Sequence, residues 1–187
     1  MHLTPDPPAR VLNHVEMVHR PGERALAAKL FRFLGCDVTD GGGHWFGAKI
    51  DPAGSLFSSN VLYASEVTPA QWALEQALER QAKQGGAIAA EFQAYLDSLR
   101  ARPQYSTHFG IRFPTRADWQ AAVDRVRDCD DPDLRGRLRL SGVFHPGQPG
   151  AASPTLSQAF IHTDIIAAGL LLLGQHIELQ VTAATKS

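Results

Sequence analysis

Gly174-Gln-His-Ile-Glu-Leu-Gln-Val181 is the stretch that decides the fold. It alternates as a strand does, with Ile177, Leu179 and Val181 on one face and His176, Glu178 and Gln180 on the other. Two distant stretches carry the same signature. His14-Val-Glu-Met-Val-His19 sets His14, Glu16 and Val18 against Val15, Met17 and His19. His108-Phe-Gly-Ile-Arg-Phe113 sets His108, Gly110 and Arg112 against Phe109, Ile111 and Phe113. If these strands line one cleft, His14, His108 and Glu178 meet at a point. Two imidazoles and one carboxylate form a metal site with open positions.

Working outward from these strands, the chain reads as two similar halves. Val11 to Val18 is a strand. Pro21-Gly22 breaks it and opens a helix whose Leu26, Leu30, Phe33 and Leu34 recur at helical spacing, with a stop at Gly35. Short strands follow at 36–39, 44–50 and 56–65, the last two joined through the turn Asp51-Pro-Ala-Gly54. Thr68-Pro69-Ala-Gln71 is a helix start, with Thr68 as N-cap, Pro69 at the first helical position and Gln71 placed to close a capping box. Two helices run from there to Pro103, broken at Gly85-Gly86. A strand at 108–113, a helix from Arg116 with Trp119, Val123 and Val126 inward, and strands at 138–144, 158–166 and 175–182 complete the chain. The reading is α/β (α+β): residues 1–10 a Pro-rich arm, 11–66 a β-α-β-β-β module, 67–104 a helical insertion and 105–187 a second β-α-β-β-β module. Together the modules form a cupped mixed sheet, an incomplete barrel.

Composition narrows the function classes. The 187 residues suit one domain of ordinary size, and 44% apolar with 20% charged residues describes a globular chain. With 18 basic and 19 acidic residues there is no charge excess to draw a nucleic acid or a membrane surface. The N-terminus lacks the apolar core of a signal peptide, and the longest apolar run, Ile165–Leu173, is too short to span a bilayer. Cys36 and Cys129 make neither a disulfide framework nor a metal pair. The expectation is a cytoplasmic protein with a small-molecule partner, no nucleic acid and no membrane.

Several motifs resemble the vicinal oxygen chelate superfamily, which includes glyoxalase I, extradiol dioxygenases and bleomycin-resistance proteins. They are His14-Val-Glu-Met-Val, Leu30-Phe-Arg-Phe-Leu-Gly35, His108-Phe-Gly-Ile-Arg-Phe and His176-Ile-Glu-Leu-Gln, in family order and at corresponding points of both modules. The resemblance implies that His14, His108 and Glu178 bind a divalent metal (Fe, Zn, Ni or Mn) and that the substrate chelates it through adjacent oxygens. The family's fourth ligand, a carboxylate in the last strand of the first module, is not evident: alignment from the Asp51 turn gives Ser58, and sliding along gives Tyr63 or Glu66. A two-His-one-carboxylate set suits non-haem iron, which puts dioxygenase-type chemistry ahead of glyoxalase-type isomerisation.

Other residues carry paired readings. Glu16 is a base or an orienting group, or a solvated strand residue. Arg112 pairs with an anionic substrate group or stands in solvent. His162 is an acid–base residue in the cleft or a hydrogen-bonded strand histidine, and His176 is a rival ligand or a donor behind Glu178. His44, Trp45 and Phe46 line the pocket or belong to the core. The Leu170–Leu173 run is core or a homodimer contact, and the helical pair is a second candidate for a dimer surface. The alternative function is a non-catalytic small-molecule binding protein, of the resistance or sequestration type, on the same fold.

Overall fold

A computed structural model describes residues 12–54 and 60–182. Ser58 lies outside the described residues. The element order is β1 (His14–His19), α1 (Arg24–Phe33), β2 (Asp37–Thr39), β3 (Trp45–Lys49), β4 (Val61–Glu66), α2 (Pro69–Lys83), α3 (Ala87–Ala101), β5 (His108–Arg112), α4 (Arg116–Arg127), β6 (Leu138–Phe144), β7 (Leu156–Thr163), β8 (Ile166–Ala167) and β9 (Gln175–Thr182). The strands form two mixed sheets with helices, an α+β arrangement. One sheet has the order β2-β3-β4-β1-β8 and the other β5-β9-β7-β6.

The two sheets repeat one plan. The first strand of each half, β1 or β5, lies parallel to the last, β4 or β9, and the intervening strands follow antiparallel. Parallel neighbours need a crossover, which α1 and α4 supply. The apolar faces of the alternating strands account for the core. Met17, Phe46, Leu62 and Ala64 from one sheet and Ile111, Ile161, Ile177 and Leu179 from the other join a single cluster with Ala27, Leu30 and Phe31 of α1 and Trp119, Val123 and Val126 of α4. Trp119 also donates its indole N–H to the Leu179 carbonyl at 2.9 Å, so its polar atom is satisfied inside the core.

Two sequence expectations are corrected. The strand expected over 158–166 ends at Thr163, because Asp164 turns out to meet Arg20 and Arg137. Its continuation, β8, then pairs antiparallel with β1 (Val18 with Ala167, His19 with Ile166), so residues of the second half extend the first half's sheet. The mixed strands of the two modules thus lie in two sheets joined at this edge. Arg137 reinforces this join by a bidentate pair to Glu23 (2.7 and 3.0 Å) while also holding Asp164 at 2.9 Å. At the start of α2, Thr68 does accept from the Gln71 N–H at 3.2 Å, but the Gln71 side chain turns away to Glu75 (2.8 Å) and the Gly169 carbonyl (3.0 Å). No capping box closes there. The helical insertion exposes most of its surface: α3 buries no residue fully and α2 buries only Glu75. No helix among the described residues is long and apolar enough to cross a membrane.

Candidate functional site

The faces turned away from α1 and α4 carry the polar residues. On the second sheet the pairing register aligns them in rows that run across four strands. His108, His176, His162 and Arg139 are consecutive cross-strand partners on β5, β9, β7 and β6. The next row holds Gly110, Glu178, Phe160 and Gly142, displaced past a bulge between Leu140 and Gly142. One row further lie Arg112, Gln180, Gln158 and Phe144.

Glu178 is the centre of this face. It is only 7% exposed, and Gln158 donates to its Oε1 at 2.7 Å. Its other oxygen, Oε2, faces Nε2 of His108 at 3.4 Å. Gly110 leaves the space this requires, since a Cβ there would stand 3.3 Å from Oε2. The His108 Nδ1–H donates to the Ser106 carbonyl at 2.8 Å, which fixes the proton on that nitrogen. A neutral His108 thus turns a lone pair toward a carboxylate. Two acceptors at this distance need a cation between them, either a proton on Nε2 or a metal ion. The Oε1 of Gln158 is buried with no hydrogen-bond partner among the described residues.

His176 behaves differently from its row neighbours. The Ser106 hydroxyl spends its proton on the Pro103 carbonyl (2.7 Å), so it accepts from the His176 Nδ1–H at 2.9 Å. The Ser141 hydroxyl then donates to Nε2 at 3.2 Å. Both ring nitrogens are satisfied in the neutral form. Burial, helped by the charges of His162, Arg139 and His108, lowers its pKa to about 4. His176 is therefore a structural neighbour of Glu178 and not a rival ligand with a free lone pair. His162, whose ring lies 5.0 Å from that of His176, donates from Nε2 to the Leu173 carbonyl at 3.2 Å, and burial also lowers its pKa.

On the first sheet the equivalent face is open. His14 is exposed, and its Nδ1–H donates to the Asn13 side-chain oxygen at 2.7 Å, leaving Nε2 as the free lone pair just as in His108. His14 and His108 line the same 320 Å³ pocket between the two halves, with Asn13, Asn60, Thr107 and Gln175. The registers also show which residue of the first half matches Glu178. Glu178 lies opposite the residue two beyond His108, and Tyr63 lies opposite the residue two beyond His14. Tyr63 is thus the counterpart of Glu178, and a phenol replaces the carboxylate. Glu66 has another duty, accepting from the Gly22 N–H at 2.9 Å. Tyr63 packs edge-on against His14 (5.4 Å) and Trp45 (4.9 Å).

The structure brings together His108 and Glu178, with His14 on the wall of the same pocket as His108. Among the described residues, no group of three or more His, Cys, Asp or Glu side chains is arranged to hold a metal ion. Glu16 lines a separate hollow with Ser65 and Gln71. His162 lines a third cavity beneath the helical insertion. Arg112 shares the His108 face but stands exposed at the far end of β5. Trp45 is exposed and Phe46 belongs to the core. Cys36 and Cys129 are free thiols, and burial pushes that of Cys36 up to about 12.

No protein-family model, curated protein or solved structure matches this chain.

Two residues that hold the side chains of this face carry no mark in the sequence. Gln158 lies in phase with Phe160 and His162, but a glutamine in a strand carries no signal until Glu178 is known to be its partner. Ser106 sits just before β5, where nothing in the sequence marks it as the fixing group for two histidines.

Proposed function

We propose that the pocket between the two halves is a small-molecule site whose reactive centre is the His108–Glu178 pair, and that the pair holds a divalent metal with His14 as third ligand. This is the chemistry of a metal-dependent enzyme of the glyoxalase or dioxygenase type, acting on a substrate with vicinal oxygens. One observation carries it: both histidines have Nδ1 committed to an oxygen of the preceding residues, at 2.7 and 2.8 Å, so both present Nε2, and one Nε2 points at a buried carboxylate. This is how ligand histidines are oriented before a metal arrives. The donor set of two imidazoles and one carboxylate fits Fe, Zn, Ni or Mn.

A divalent ion there supplies Lewis acidity toward adjacent oxygens. The chain's own residues supply the rest. Ser106 and Asn13 hold the imidazoles in one tautomer, and Gln158 holds the Glu178 carboxylate in one orientation. The wall residues Val15, Ile50, Leu62 and Phe109 exclude water from part of the pocket. Arg112 shares the face of His108 but lies beyond the pocket lining, so it would meet an acidic substituent only of a substrate that extends along β5.

Metal analysis of untagged protein tests the proposal. About one divalent ion per chain, absent from His108→Ala and Glu178→Ala, is the expected result. A wild type that takes up none after reconstitution with iron, zinc, nickel or manganese contradicts it. The second reading is a metal-free binding protein. It is favoured by the closeness of the pair itself: His108 Nε2 lies 3.4 Å from a Glu178 oxygen, and Gln158 holds the other oxygen. In that case ligand binding survives chelation.

A further inference from the structure

The cavity beneath the helical insertion is unrelated to the His108–Glu178 pair and carries a separate chemistry. It has a volume of 220 Å³ and lies between β6 and β7 of the second sheet, α2, α3 and the turn at Leu171–Leu173. Its wall includes Arg139 and His162, cross-strand partners on β6 and β7, and Arg100 from the last turn of α3. Its apolar wall includes Trp72, Leu96 and Leu99.

The carboxylates of this cavity are already taken. Glu75 accepts from Gln71 and from the Leu172 N–H, each at 2.8 Å. Asp164 is held by Arg20 and Arg137, and Glu79 by Lys83 at 2.7 Å. Arg100 is paired at the surface with Asp97 at 3.1 Å. Arg139 has no ion-pair or hydrogen-bond partner among the described residues. Partial burial, and after it the neighbouring charge of Arg100, pull its pKa down. A half-open cavity with spare guanidinium capacity at one side and a leucine-lined wall at the other has a definite complement.

We infer that this cavity binds a small organic anion, its acidic head between Arg139 and Arg100 beside His162 and its apolar body against Trp72, Leu96 and Leu99. The inference stands without the metal proposal, because it shares no residue with His14, His108 or Glu178.

Hexanoate is a suitable probe, with hexan-1-ol as the neutral control of similar shape, followed by ¹H–¹⁵N NMR titration of the full chain. Saturable hexanoate binding that shifts the Trp72 indole resonance is expected, at least about tenfold weaker for hexanol and for Arg139→Gln, since a charge-assisted contact contributes about 1.5–3 kcal/mol. Arg100→Gln should weaken it by a smaller factor. His14→Ala, in the other pocket, should leave it unchanged. Arg139 is exposed on the edge strand β6, so its substitution leaves the core intact. Hexanol binding as tightly as hexanoate, an Arg139→Gln variant that binds like wild type, or no saturation at all up to about 20 mM overturns the inference.

Discussion

The two halves of this molecule share a strand plan and differ in what they place on the open face. In the first half the positions are filled by His14 and Glu16 opposite Val61 and Tyr63, with Trp45 55% exposed beside them. In the second the same positions are His108 and Gly110 opposite His176 and Glu178, and Phe160 next to them is fully buried. One face is aromatic and wet; the other is polar, with Glu178, His176 and Gln158 buried at its centre. The difference turns on side-chain size. Gly110 has no Cβ to fill the space that Glu178 needs, whereas Glu16 projects into solvent opposite Tyr63. The two copies of the strand plan thus carry different surfaces: one sets a buried carboxylate beside an imidazole, and the other sets an exposed imidazole beside aromatic rings.

Paired substitutions at equivalent positions can break this comparison. The largest contrast should be in metal affinity. Glu178→Ala should lower it more than about hundredfold, because a ligand is lost, while Tyr63→Ala should change it less than about tenfold. Competition with a chromophoric chelator reads both. Equal effects would mean that the halves contribute alike.

Stability gives the next contrast. His108→Ala removes the imidazole facing the buried Glu178 Oε2 and should cost about 1–3 kcal/mol in urea unfolding, whereas His14→Ala, exposed, should stay within about 0.5 kcal/mol. The residues that enter the last strand of each half sharpen the point. Asn60 and Gly174 both adopt the left-handed conformation, with φ of 64° and 69°. Only Gly174 also faces His162, whose Nε2 would lie 2.5 Å from an added Cβ. Gly174→Asn should therefore destabilise by about 1–3 kcal/mol, and Asn60→Gly by no more than about 0.5 kcal/mol.

Acid should act on the second half first. His176, with its folded-state pKa near 4, stays neutral where the unfolded chain takes up a proton near the ordinary histidine pKa of about 6.5. The unfolded state then binds more protons, so stability falls as pH drops from about 6.5 and levels off below about 4. The loss between pH 7 and 5.5 should be about 1 kcal/mol from this group. Its counterpart Val61 cannot titrate. An NMR titration in which the His176 ring protonates near pH 6.5 would remove the contrast.

Much of this architecture is legible in the chain. Alternation placed His14, Glu16, His108, Arg112, His162 and Glu178 on polar strand faces, and the 3.6-residue spacing placed Trp119, Val123 and Val126 inward. What alternation cannot supply is lateral position. It does not say that His162 falls in the row of Arg139, or that Glu16 opens on a different hollow, because register follows from pairing across the sheet and from the bulge at Leu140–Gly142. The break at Asp164 was equally hidden, since the arginines that hold it come from elsewhere in the chain. The capping box failed for a similar reason: Glu75, buried and short of donors, competes for the Gln71 side chain.

The central claim is that the second half's open face holds a metal between His108 and Glu178. Anomalous diffraction from zinc-soaked crystals tests it most directly. The account expects one strong peak about 2.0–2.2 Å from His108 Nε2 and from a Glu178 oxygen, with His14 Nε2 as the third neighbour. A map with no peak between those side chains, or with zinc only at surface histidines such as His44, would contradict it.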